Sequence, residues 1–180
     1  MDNKTSTDVV PVARQSSLSA RDLDALREGT YGPNFPRLPA DEMGLMTSVT
    51  EISDEGGKYG GGFADAFFEI PSEFWVYRGH FRGDPIMPGT LQVDALLALT
   101  GLFGGWVWNG GPSKGRAVGF GNVKMRFEVK PPAKILTYHI DVKSAKMRGP
   151  NLIVQATGSV FCDGQISVDV NNLSAWIVPA

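Results

Sequence analysis

The chain predicts an α+β fold, one long apolar helix with an antiparallel sheet long enough to wrap around it. Three observations carry this. From Thr90 to Asn109 there is a single charged side chain, Asp94, and the apolar run Leu91–Trp108 exceeds the length of an ordinary strand. Downstream, strand-like segments follow one another with only short turns between them, and Tyr138, Ile140 and Val142 alternate with polar neighbours. Asp163-Gly164 joins two of these segments and is a strong two-residue hairpin signal. A chain of 180 residues, 42% of them hydrophobic, is enough for one domain with its own core.

In chain order, residues 1–16 are polar and predict a flexible arm, disordered or loosely docked, ahead of a single domain over 17–180. Ser19 to Glu28 reads as a short helix with a Ser/Asp-type cap, stopped by Gly29. Tyr31 to Pro39 is a Pro/Gly-rich connection. Leu45–Ile52 predicts a first strand, Glu55–Lys58 a turn, and Tyr59–Ile70 a second strand whose glycines suggest bulges. Pro71–Trp75 reads as a helical turn leading to a loop at His80, and the long helix over Leu91–Trp108 ends at the glycines and proline of Asn109–Gly115. The remaining segments, Arg116–Val123, Lys124–Val129, Ile135–Ala145, Leu152–Cys162 and Gln165–Val178, read as a β-meander.

Composition excludes several classes of function. With 17 basic and 19 acidic residues there is no cationic excess for nucleic acid and no polybasic tail for a membrane surface. The one cysteine, Cys162, forms no intramolecular disulfide and no cysteine metal cluster, which fits a reducing cytosol. Residues 1–20 lack the apolar stretch of a signal peptide. The Leu91–Trp108 run approaches a membrane span in length, but Gln92, Asp94, Thr100 and three glycines interrupt it, so it reads as a core helix. There is no dinucleotide fingerprint, phosphate loop, metal-ligand cluster or serine nucleophile elbow, so no cofactor or metal is expected.

The chemistry concentrates in Gly79–Asp94. His80 precedes an irregular Pro/Gly loop, a setting that favours functional groups, although it could equally be a structural histidine bonded to a backbone carbonyl. His139, mid-strand, reads as structural. Asp94 lies one turn into an otherwise apolar helix. It is either a carboxylate paired with a cation such as Arg82 or Arg116, or a carboxyl held protonated by apolar surroundings and useful as a general acid. The amide of Gly89 opens the helix, where the dipole favours developing negative charge. The plainer reading is a helix start capped by Thr90 or the preceding turn. The aromatic segments Trp106–Trp108 and Phe120–Phe127 supply core or subunit interface, and part of them could line an acyl tunnel.

The motif His80-Phe81, Gly83-Asp84-Pro85, Met87-Pro88-Gly89 and Asp94-Ala95 resembles the signature of the β-hydroxydecanoyl acyl-carrier-protein dehydratase/isomerase family. Segments such as Leu38-Pro39-Ala40 and Lys114–Gly119 extend the resemblance over most of the chain. It implies a hotdog fold, a homodimer and two active sites at the dimer interface, with the histidine from one subunit and the aspartate from the other. By the same resemblance His80 removes the C2 proton of a (3R)-hydroxyacyl thioester. Protonated Asp94 helps the 3-hydroxyl leave, and the Gly89 N–H polarises the thioester carbonyl. The Ile86 carbonyl orients the His80 ring, and Phe81, Ile86, Pro88, Thr90 and Gln92 contact substrate. The implied partner is an acyl carrier protein, with no cofactor, and some relatives also shift trans-2 to cis-3.

Departures mark the pocket wall. Thr90-Leu91-Gln92 stands where the family has Cys then Leu-Gly, Ala98 replaces a glutamine, and Asn122 replaces an acidic residue. They point to a specialised substrate, in fatty-acid or polyketide-like biosynthesis. Rival readings on the same fold are an acyl thioesterase, which would release a free thiol, and an enoyl-thioester hydratase. A third is a non-catalytic acyl-binding partner subunit, which would bind thioester without turnover.

Overall fold

A computed structural model describes residues 14–32 and 34–180. Its elements are helix α1 (Ala20–Glu28), strands β1 (Ser48–Ser53) and β2 (Phe63–Glu69), the long helix α2 (Gly89–Val107), and strands β3 (Ser113–Met125), β4 (Ile135–Arg148), β5 (Asn151–Cys162) and β6 (Gln165–Pro179). Single 3-10 turns cover Asp41–Met43 and Trp75–Arg78. The strands form one curved antiparallel sheet in the order β1-β2-β4-β5-β6-β3, wrapped around α2.

Local chemistry explains the element ends. Ser19 and Asp22 form a reciprocal capping box at the start of α1, and Gly29 ends it in the left-handed region. Asp163 and Gly164 both have positive φ, as the tight β5–β6 hairpin requires.

Several boundaries differ from expectation. Arg116–Val123 and Lys124–Val129 are not two strands; Ser113–Met125 is one strand that absorbs a register shift between Ala117 and Gly119. Nor does it lead a meander. It pairs with β6 at the sheet's far edge, and only β4, β5 and β6 follow one another in space. Strand-like alternation marks a strand but says nothing about its partner. The second strand begins at Phe63, because Gly56–Gly62 folds into a tight turn. There a Cβ at Gly57, Gly61 or Gly62 would run into backbone carbonyls. The helical turn expected at Pro71–Trp75 lies at Trp75–Arg78.

The expected arm is partly docked. Arg14 pairs with Asp54 at 2.7 Å and lies over the Trp106 ring, 5.1 Å from its centroid. Trp106 Nε1–H donates to the Gln15 carbonyl, and the Ile52 N–H to the Ser16 carbonyl. These contacts tie residues 14–16 to α2 and β1; residues 1–13 lie outside the described residues.

The core lies between α2 and the sheet. Leu96, Leu99 and Phe103 are fully buried against the inward row Leu136, Ile140, Val154, Val160, Val170 and Ile177. Truncating one such side chain, Leu96→Ala, costs about 2–5 kcal/mol. Close approach needs glycine at two points. A Cβ on Gly104 would meet Ile177, and one on Gly158 would meet Leu173 and Leu96. α2 is long and apolar enough to cross a membrane, but 67% of its apolar window is buried within the fold, which makes it the core helix.

Candidate active site

The His80 loop is built by backbone bonds. The His80 N–H donates to the Val76 carbonyl at 3.0 Å, which continues the preceding turn. Phe81 and Asp84 exchange backbone hydrogen bonds around Gly83, whose φ of 81° only glycine adopts easily. The Met87 N–H then donates to the Val129 carbonyl, anchoring the loop to the chain beyond β3.

Within this loop the His80 ring has one orientation. Nδ1 lies 2.9 Å from the Ile86 carbonyl oxygen. A carbonyl only accepts, so Nδ1 carries a proton, and in the neutral ring Nε2 is the nitrogen with the lone pair. The exposed Phe81 ring stacks on the imidazole, 4.2 Å between centroids and 28° between planes. The histidine therefore bonds a backbone carbonyl, as a structural histidine would, and that bond sets the tautomer a base requires.

Asp94 sits half-buried on α2 in a cavity of about 210 Å³ shared with Leu97, Ala98 and Gly101 of the same helix. Burial raises its carboxyl above the ordinary range. Neither Arg82 nor Arg116 forms a salt bridge with it among the described residues. Arg116 lines the same cavity, but its Nη1 donates to the Gly115 carbonyl at 2.7 Å. The expectation of a cation-paired Asp94 is thus replaced by an unpaired carboxyl. His80 does not line this cavity.

Gly89 is the first residue of α2, with Pro88 at the N-cap position and no side-chain cap. Thr90 is inside the helix and exposed, so it is not the cap considered for it. First-turn amides have no intrahelical acceptor, so the Gly89 N–H is a free donor by helix geometry. A Cβ at Gly89 would lie 2.7 Å from the sulfur of the exposed Met125 side chain, which would have to move aside. Ile86 and Pro88 are half-buried beside the His80 loop. Gln92, expected to contact substrate, is buried instead, and its Oε1 accepts a hydrogen bond from the Ser167 hydroxyl of β6. The amide turns into the core because the adjacent strand supplies a buried polar partner, which the helix sequence alone does not show.

His139 lies on the outer sheet face between two carboxylates, with Nδ1 2.8 Å from Asp65 and Nε2 3.1 Å from Asp141. The hydrogen bond to Asp65 leads the influences that raise its pKa, while burial opposes them. Both ring nitrogens are engaged, which agrees with a structural role. Sequence reading missed Arg37, which lines the Asp94 cavity from the Pro-rich connection. No periodicity marks a single side chain in such a segment.

The FabA-like domain profile matches residues 38–171 of the 180. The chain belongs to the FabA-like family. Among solved structures, this FabA-like domain is similar to the dehydratase heterocomplex ApeI:P from Xenorhabdus doucetiae. That match has a TM-score of 0.59 and 14% identity over 80% of this chain and 88% of the other. AziG from S. sahachiroi matches with a TM-score of 0.54 and 10% identity, over 80% and 100% of the two chains. A mutant thioesterase from Pseudomonas aeruginosa gives 0.49 and 12%, over 96% and 99%. At these identities the first two likenesses, with the profile match, establish the hotdog fold and nothing about the reaction.

Proposed function

We propose that this protein dehydrates (3R)-hydroxyacyl thioesters, carried on an acyl carrier protein, to trans-2-enoyl thioesters. The observation that carries the reading is the Nδ1–Ile86 hydrogen bond, which leaves Nε2 of the neutral His80 ring as an acceptor. Nε2 takes the C2 proton as the C2=C3 double bond forms and the C3–O bond breaks. The carboxyl of Asp94, whose hold on its proton burial strengthens, delivers that proton to the departing hydroxyl, so water leaves. The Gly89 N–H stabilises negative charge on the thioester oxygen, an effect worth roughly 10²–10³ in rate for one such donor. For the cis-3 product the same groups would take a proton from C4 of the trans-2-enoyl thioester, shift the double bond from C2=C3 to C3=C4 through a dienolate held at the Gly89 N–H, and return a proton to C2.

The site is completed by a second copy of the chain. His80 is not among the residues lining the Asp94 cavity, and β3 leaves a sheet edge carrying exposed Val118, Phe120 and Met125. An unpaired apolar edge of this kind favours association. In the homodimer His80 of one subunit works with the aspartate of the other. The single buried cysteine suits a reducing cytosol.

Mass spectrometry of the protein incubated with a (3R)-hydroxydecanoyl thioester on a carrier protein tests this. A loss of about 18 mass units by dehydration, absent in His80→Ala and Asp94→Asn, is expected; chromatography then separates trans-2 from cis-3 product. Release of free thiol without that loss would mark a thioesterase. Binding without turnover of any chain length would mark an acyl-binding subunit.

A further inference from the structure

The cavity that holds Asp94 has two further charged residues in its wall, and both are cations. Arg37 reaches it from the connection ahead of β1 and Arg116 from β3, while its remaining lining, including Pro36, Leu38, Leu97 and Ala98, is apolar. Neither guanidinium has a carboxylate partner among the described residues. The contrast with Arg27 is direct, since that side chain is paired with Asp24 and with the Pro39 and Met46 carbonyls. Among the described residues the Arg116 guanidinium hydrogen-bonds the neutral Gly115 carbonyl.

Arg37 is nonetheless placed. Its guanidinium covers Gly29, so close that a Cβ there would lie 2.6 Å from Nε. Gly29 ends α1, and the carbonyl end of a helix favours a cation. The head group therefore lies beside the helix end, with no carboxylate bonded to it among the described residues. Asp94 is not the missing counter-ion, because its carboxyl is shifted up, whereas an adjacent guanidinium would push it down. Each guanidinium is a planar fork of donors that matches carboxylate and phosphate oxygens.

We propose that Arg37 and Arg116 bind an anionic oxygen group of the substrate at the cavity that holds Asp94. The proposal rests on Asp94 being the acid of a thioester dehydratase. Such a substrate can carry the anion in two places, the phosphate of a pantetheine arm or a carboxylate on the acyl chain.

Calorimetric binding of saturated, unreactive acyl thioesters separates these sources. The probes are a neutral N-acetylcysteamine thioester, the same acyl group on phosphopantetheine, and an N-acetylcysteamine thioester whose acyl chain ends in a carboxylate. At least one anionic probe should bind about tenfold or more tighter than the neutral one, a gain in the range of a charge-assisted hydrogen bond. Arg37→Gln with Arg116→Gln should abolish that advantage, and the paired lysine substitutions should keep part of it. The anionic probe that holds the advantage identifies the source. If neither outperforms the neutral probe, or if the advantage survives the double glutamine variant in protein with an unchanged melting temperature, the proposal is overturned. Turnover of a 3-hydroxyacyl N-acetylcysteamine thioester is scored separately. Arginine-dependent binding without turnover would defeat the dehydratase reading alone, and turnover without an anion preference would defeat only this one.

Discussion

His80 and Ile86 hold one another by two opposed hydrogen bonds: the ring Nδ1–H donates to the Ile86 carbonyl at 2.9 Å, and the Ile86 N–H donates to the His80 carbonyl at 2.7 Å. Backbone atoms thus position a side chain, and the loop between them cannot relax without turning the imidazole. His80→Gln separates the two roles of this residue. Its amide can still donate to the Ile86 carbonyl, so the melting temperature should change little. It has no basic nitrogen, so kcat should fall by roughly 10²–10⁴, the usual contribution of general acid–base catalysis. A variant that melts early and loses activity in proportion would identify a structural histidine instead.

Asp94 predicts opposite effects on activity and stability. Burial raises its folded pKa above the unfolded value, so its contribution to stability is complete below the unfolded pKa and disappears as pH rises through the folded one. Asp94→Asn removes a carboxyl that must either ionise in a half-apolar site or shift. The variant should melt no lower than the parent at neutral pH, with the difference shrinking as acid protonates the parent. Turnover should be lost at every pH. Thermal melts and rates measured across the same pH series check both halves; a large destabilisation at neutral pH would show that the carboxyl has a structural partner.

Association should be inseparable from catalysis. Phe120 is 57% exposed on the edge strand β3, in reach of a second copy but not of the core. Phe120→Glu should yield a folded monomer by sedimentation, with a far-ultraviolet spectrum like the parent's, and should abolish turnover because no site then holds both His80 and Asp94. Full activity in a proven monomer would sink the shared site.

His139 supplies a control away from that site. Its hydrogen bond to Asp65, helped by Asp141, raises its pKa. A raised folded value means stability that is complete below the ordinary histidine pKa of about 6.5 and is lost as pH rises through the folded value. His139→Gln should flatten this alkaline loss in thermal melts and leave the pH profile of turnover alone. An unchanged melting profile would show that the two carboxylates contribute nothing through the ring.

The sequence by itself determined what short-range geometry controls. The apolar run after Pro88 becomes α2, Asp163-Gly164 becomes a hairpin, and Ser19 and Gly29 bound α1, because caps, left-handed turns and side-chain periods act over a few residues. The His80–Asp94 motif was legible in the same way. Its groups lie on a rigid loop and at a helix start whose chemistry depends on neighbours in the chain. Only the tertiary structure decided that β3 closes against β6, that Gln92 turns away to Ser167, and that Asp94 forms no salt bridge among the described residues although Arg37 joins its cavity. Those outcomes depend on which surfaces meet across many residues. Strand alternation is the same for any partner, and a buried polar group takes whichever partner the packed core presents.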